Sequence, residues 1–206
     1  MNPTIKTNWL FCNSSQPTLI PLLFSGVISA ATALATAGVS DWPDRVLAFP
    51  YTNSAAQQPT LQVMRQDHET LEFNRSVIRT PLKIGTRPFG HGLGTHSVSE
   101  LRIVSPEPIE RFTAWVGVDN NQRTVSQLGS VEFSVVAERS EVFHSPLLRG
   151  GDEPVRVDIK LPSASRILNL QVSDGGDGAG WDHADWAEAT IRLRSGRAMR
   201  LDRLAA

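Results

Sequence analysis

Val155-Arg-Val-Asp-Ile-Lys-Leu161 alternates apolar and charged residues without a break. In an extended chain Val155, Val157, Ile159 and Leu161 fall on one face, and Arg156, Asp158 and Lys160 on the other. A slip of one residue would bury three charges, so the stretch specifies a strand with one dry and one wet face. The same period recurs on both sides. Upstream, Phe112, Ala114, Val116 and Val118 share a face, as do Val131, Phe133 and Val135 around Glu132 and Ser134. Downstream, Leu168, Leu170 and Val172 form one set, and Ala189, Ile191 and Leu193 another. Turn residues separate the runs: Ser105-Pro106, Asp119-Asn120-Asn121, Arg149-Gly150-Gly151-Asp152, Pro162-Ser163 and the glycines before Trp181. No segment beyond Ala37 keeps a helical period. Many short strands, each half wet, predict an all-β protein built as an antiparallel β-sandwich. Phe112, Phe133, Val157, Ile159, Leu170 and Ile191 are its expected core.

The chain of 206 residues is 40% hydrophobic and 20% charged, which suits one globular domain with a core of its own. A formal net charge of −1 gives no electrostatic reason to bind nucleic acid or an anionic membrane. Cys12 is the sole cysteine, which excludes an intramolecular disulfide and a thiolate zinc cage.

Ile20 to Ala37 is apolar or small throughout and uncharged, and it closes on Ala35-Thr-Ala37, a small-x-small cleavage pattern. Residues 1–37 are therefore assigned as a signal peptide, and the mature chain as secreted, periplasmic or cell-surface. An uncleaved membrane anchor is the alternative, weakened by Pro21 and Gly26 within the run. Residues 38–81 hold Pro43, Pro50 and Pro59 and are assigned as linker with an uncertain first strand, since Leu71 and Phe73 alternate with Glu72 and Asn74. The sandwich is assigned to 82–194 and a C-terminal extension to 195–206.

Gly176-Asp-Gly-Ala-Gly-Trp-Asp-His-Ala-Asp-Trp-Ala-Glu188 collects four carboxylates, a histidine and two tryptophans behind glycines. Catalysis is one reading, but the chain has no Gly-x-Ser-x-Gly elbow, phosphate loop or His-Glu-x-x-His, and the paired acids a glycosidase needs are crowded here into one loop. Zinc is a second reading: His91 and His96 have a ligand-like spacing but no thiolates complete the set. Calcium suits the oxygens better, although the order departs from the EF-hand loop. A ligand platform is a third reading, since an indole stacks on a sugar face while carboxylates and amides meet its hydroxyls. A hydrogen-bonded corner is the fourth, with both indoles as core plugs and the aspartates capping backbone amides. Trp186 directly precedes the buried last strand and is assigned to the core, which leaves Trp181 for a ligand.

Five pieces in order resemble one family. They are His91-Gly-Leu-Gly-Thr-His-Ser97 with Ser99-Glu-Leu101, Phe112-Thr-Ala114 with Val116-Gly-Val-Asp119, Gly129-Ser-Val-Glu-Phe133, Leu168 to Val172, and Asp174-Gly-Gly-Asp-Gly178 through Asp182-His-Ala-Asp-Trp-Ala-Glu-Ala189. Together they resemble the NPCBM domain, carbohydrate-binding module family 51, over roughly residues 82 to 194. The resemblance implies a galactose-binding-domain-like jelly-roll sandwich without catalytic residues, a glycan ligand such as a terminal galactoside, and an enzyme or surface protein as partner. Two departures stand out. Val46 to Arg79 lacks a clean copy of the family's first strand and acidic loop, and Glu188 replaces an aspartate.

The expected sugar contacts are therefore Trp181, Asp182, His183, Asp119, Asn120 and His96, from turns at one end of the sandwich. Glu188 is the expected oxygen ligand if calcium is bound. The alternative is a structural or protein-interaction module of the same fold that binds no sugar.

Overall fold

The computed structural model describes residues 58–205. The export signal assigned to 1–37 lies outside that range. Fourteen strands and one short 3-10 helix make up the described chain.

The first sheet runs in the order β1 (Thr60–Gln66), β6 (Ser99–Val104), β12 (Ile167–Ser173), β8 (Ser130–Ala137) and β10 (Leu148–Arg149), with β9 (Ser140–His144) also on β8. The second runs β11 (Val155–Lys160), β7 (Ile109–Val118), β13 (His183–Leu193), β5 (Gly92–His96) and β2 (Glu72–Phe73), with β14 (Ala198–Arg200) also on β13. A hairpin of β3 (Lys83–Ile84) and β4 (Arg87–Pro88) stands apart. All pairings within the two sheets are antiparallel.

The inner faces carry the alternation read from the sequence. Leu101 and Ile103, Leu168 and Leu170, and Val131, Phe133 and Val135 from the first sheet meet Phe112, Ala114, Val116, Trp186 and Ile191 from the second. Of the expected core, Ile159 alone is half-buried, because β11 is an edge strand.

Two boundaries are corrected. The sandwich starts at Thr60, not at 82: β1 pairs with β6 from Thr60↔Val104 to Gln66↔Ser99. As an edge strand it buries only Leu61 fully, so its sequence shows little alternation. The stretch beyond residue 194, assigned as a C-terminal extension, is part of the sandwich. β14 pairs with β13, and Leu201 and Leu204 are buried in the core.

The outer face of the second sheet is covered, which a half-wet sandwich would not require. Leu82, Ile84 and Phe89 pack there with Ala187 and Trp115. Gly94 and Gly117 permit the close approach. A β-carbon on Gly94 would lie 2.3 Å from the Arg75 carbonyl, and one on Gly117 2.3 Å from Ile84. Arg87 holds the hairpin down by lying over the rings of Trp115, 4.3 Å from its centroid, and Phe89, at 4.7 Å.

β13 contains one extra residue. It pairs Ala187↔Trp115 and then Thr190↔Thr113, so a bulge falls at Glu188, whose φ is +51°. The bulge shifts the parity: Ala184 and Trp186 face the core before it, and Ala189, Ile191 and Leu193 after it.

Candidate binding rim

β5 ends at His96, and β13 begins at His183 directly opposite. Their rings meet edge to face with centroids 5.5 Å apart, and His68, from the loop after β1, stands 5.2 Å from His96. Glu69 follows His68. A Glu69 carboxylate oxygen and a ring nitrogen from each of His96 and His183 lie within 4.8 Å of one another. Arg123 comes within 4.0 Å of Glu69. Beside them a depression of about 330 Å³ is bounded by Glu69, Thr70, Glu72, Val77, Ile78, Arg79 and Arg123. The histidines lie just beneath the surface, while Glu69, His68 and Arg123 are exposed.

Both imidazoles are oriented by hydrogen bonds. His96 Nδ1 lies 2.7 Å from the Ser97 carbonyl, which only accepts, so Nδ1 carries the proton. His183 Nδ1 lies 2.9 Å from Asn121 Nδ2. Burial first, then the nearby His96 and Arg123 charges, lower the His183 pKa to about 4, so the ring is neutral at physiological pH.

Two imidazoles do not suit a hard cation such as calcium. The His91–His96 pair is no metal centre. β5 runs between them extended, which puts them roughly 16 Å apart.

Trp181 is 49% exposed, at the end of the glycine loop with φ +67°, while Trp186 is completely buried. The structure thus separates the two indoles as the sequence reading did.

Three of the expected contacts have their polar groups engaged within the protein. Asp182 is fully buried, accepting from Ser97 Oγ at 2.6 Å and the Ser130 amide at 2.8 Å. Burial pushes its carboxyl up, against the lowering effect of those bonds. It ties β5, β8 and the glycine loop together and presents nothing to a ligand. Asp119 is also fully buried and accepts from the Lys83 amide at 3.1 Å and Asn121 Nδ2 at 2.5 Å. Asn120 is half-buried and donates to the Gly85 carbonyl at 2.6 Å, bracing the β3–β4 hairpin. His96, His183 and Trp181 remain from the expected set. Sequence reading missed His68, Glu69 and Arg123. The adjacent His68-Glu69 pair was a signal, but it lay in a stretch taken as linker.

Glu188 sits on the bulge, half-buried, 3.7 Å from Arg87 Nη2. Among the described residues no pair of further acids or histidines converges on it. Calcium there would have to draw its other oxygens from backbone carbonyls and compete with a guanidinium.

Comparisons with known proteins agree with the fold. A family model described as the NPCBM/NEW2 domain matches residues 52–192. A putative endo-alpha-N-acetylgalactosaminidase of Renibacterium salmoninarum is 31% identical over 110 residues, which cover 53% of this chain and 7% of that protein. Alpha-1,3-galactosidase B of Akkermansia muciniphila is 28% identical over 145 residues, 68% of this chain and 18% of that one. The chain thus matches only a small part of each curated relative. Among solved structures, the CBM51 from Clostridium perfringens GH95, in complex with methyl-galactose, aligns at 26% identity and TM-score 0.56 over 62% of this chain and 90% of that one. The CBM51-2 and INT domains of Clostridium perfringens ZmpB, with GlcNAc, align at 24% identity and TM-score 0.58 over 67% of this chain and 32% of that one, a likeness of fold. Because the match from 52 to 192 spans more than half of the chain, this protein belongs to the NPCBM/NEW2 domain family.

Proposed function

We propose that the protein is a non-catalytic carbohydrate-binding module that holds a terminal sugar at the rim formed by His96, His183 and Glu69, with Trp181 and Arg123 at its margin. The observation that carries this reading is the convergence of two imidazoles and a carboxylate at one end of the sandwich, with the exposed Trp181 two residues before His183. The methyl-galactose complex of a 26% identical CBM51 supports a galactoside as the first ligand to try. Export to the cell surface or beyond, directed by residues 1–37, and action beside a glycan-processing enzyme belong to the same proposal. The small share of each enzyme relative that the chain matches fits a module serving a catalytic partner.

A net contribution of about 0.5–1.5 kcal/mol per neutral hydrogen bond makes a shallow single-sugar site weak, with Kd roughly micromolar to millimolar. Several copies or an attached partner would then supply useful retention. A glycan array on the purified protein is expected to show retention of neutral terminal galactosides. Trp181→Ala should reduce it at least tenfold with unfolding unchanged. An array on which no glycan is retained would replace this reading with a structural or protein-interaction module.

A calcium ion at Glu188, with its other oxygens drawn from backbone carbonyls, is a separate proposal. Calcium that binds only the folded state would raise the melting temperature. Glu188→Gln is expected to remove any such rise, measured by calorimetry in chelator and in millimolar calcium. Equal melting temperatures for the unmodified protein in both would eliminate the site.

A further inference from the structure

Behind the rim, Asp185 of β13 lies on the covered face of the second sheet. Its cross-strand neighbours are Gly94 and Gly117, over which Arg75–Ser76 and Ile84 close. It is fully buried, and neither carboxyl oxygen has a donor among the protein groups. Its polar neighbour is the Asp119 carboxyl, itself an acceptor, so the contact becomes a hydrogen bond only if one acid keeps its proton. Asp119 then accepts from Asn121 Nδ2 at 2.5 Å, and the same nitrogen faces His183 Nδ1 at 2.9 Å.

The Asn121 amide cannot be turned over. Its Oδ1 accepts from the Arg123 backbone N–H at 2.8 Å, a group that can only donate. Reversal would set that N–H against an NH₂ group and an oxygen against the Asp119 carboxylate. Nδ2 therefore donates to His183 Nδ1, and the neutral ring must carry its proton on Nε2. In its neutral form His96 has the opposite arrangement, with Nδ1–H given to Ser97 and the lone pair on Nε2.

Resting on the carbohydrate reading above, we infer that Asn121, clamped by Asp119 with Asp185 behind it, is a positioning residue that holds His183 as an Nε2–H donor beside the Nε2 acceptor of His96, so that the rim selects a neutral hydroxyl of the sugar. A hydroxyl accepts from His183 Nε2–H and donates its single proton to His96 Nε2. A sulfate or carboxylate only accepts, leaving His96 Nε2 without a donor.

The test reads imidazole protons directly, by long-range ¹H–¹⁵N correlation on the full-length protein without sugar. His183 is expected to show the Nε2–H form with no titration between pH 5.5 and 8, and Asn121→Ala is expected to give a mixture of tautomers. His183 in the Nδ1–H form in the unmodified protein overturns the inference, whether or not the variant folds. In titrations with methyl galactoside, Asn121→Ala should weaken binding about tenfold. A 6-sulfated galactoside should bind more weakly than the neutral one, and tighter binding of the sulfated sugar overturns the selection of a hydroxyl. If the Nε2–H form is present and no glycan is retained, the carbohydrate reading fails while the role of Asn121 stands, because the tautomer is read without ligand.

Discussion

Trp186→Ala is expected to unfold the domain under conditions in which Trp181→Ala leaves it folded. Trp186 is among the largest fully buried side chains of the protein. Its ring meets Phe133 edge-on at 4.9 Å and Phe112 at 6.2 Å, so it joins the two sheets at the centre of the core. Truncation to alanine loses the transfer free energy of the indole and leaves a cavity, together costing about 3–5 kcal/mol. That is a large part of the roughly 5–15 kcal/mol by which a domain is stable. Trp186 Nε1 also has no hydrogen-bond partner. Trp186→Phe keeps the aromatic pairs and removes that orphan donor, so it should cost less than half as much as alanine. Trp181 is half exposed, and its removal should change stability by no more than about 0.5 kcal/mol. Urea titrations followed by circular dichroism measure all three variants. A Trp181→Ala midpoint below that of Trp186→Ala would show that the indoles have exchanged roles.

Asp185→Asn and His183→Gln are expected to tilt the pH dependence of stability in opposite directions. Burial, then the Asp119 charge beside it, push the Asp185 carboxyl well above its ordinary value. Between the unfolded pKa of about 3.9 and the raised folded one, the native state holds a proton that the unfolded state has released. Its contribution is therefore complete below about pH 4 and is lost as pH rises through the folded pKa. Asp119, also pushed up by burial, acts in the same direction. His183 does the reverse. Its folded pKa is about 4 against 6.5 in the unfolded chain, so the unfolded state binds the extra proton between those values. Stability is lost as pH falls from 6.5 to about 4, by roughly 3 kcal/mol.

In the unmodified protein the two effects oppose each other where their windows overlap. Asparagine at 185 still donates to Asp119 but does not titrate. Its variant should show a steeper loss of stability as pH falls from 6.5 to about 4 than the unmodified protein does. His183→Gln should instead lose stability steadily from pH 4 upward. Urea unfolding at fixed ionic strength, repeated from pH 4 to 9, provides the measurement. A profile for Asp185→Asn that runs parallel to the unmodified one would mean that the acid carries no anomalous proton.

Period-two alternation determined the fold class from the chain alone, because each main strand keeps one face in the core. Val131-Glu-Phe-Ser-Val135 and Val155 to Leu161 can lie flat on a core in only one register, and local spacing records that. The assignment of Trp186 to the core also followed from the chain, through its place beside the last buried strand. Reading failed where burial depends on partners distant in sequence. β1 is an edge strand that buries little besides Leu61, so nothing local marks it, and the His68-Glu69 loop after it passed as linker. The bulge at Glu188 is equally silent, since an extra residue shows only when β13 is laid against β7.

Which polar groups face a ligand was decided by tertiary structure alone. Asp182, Asp119 and His183 look alike as turn residues. Folding gives Asp182 to Ser97 and Ser130, gives Asp119 to Lys83 and Asn121, and brings His183 against His96 across a β5–β13 pairing that spans 87 positions of chain. A buried carboxylate must take its donors from whatever backbone passes closest, and sheet order, which is a long-range property, determines which backbone that is.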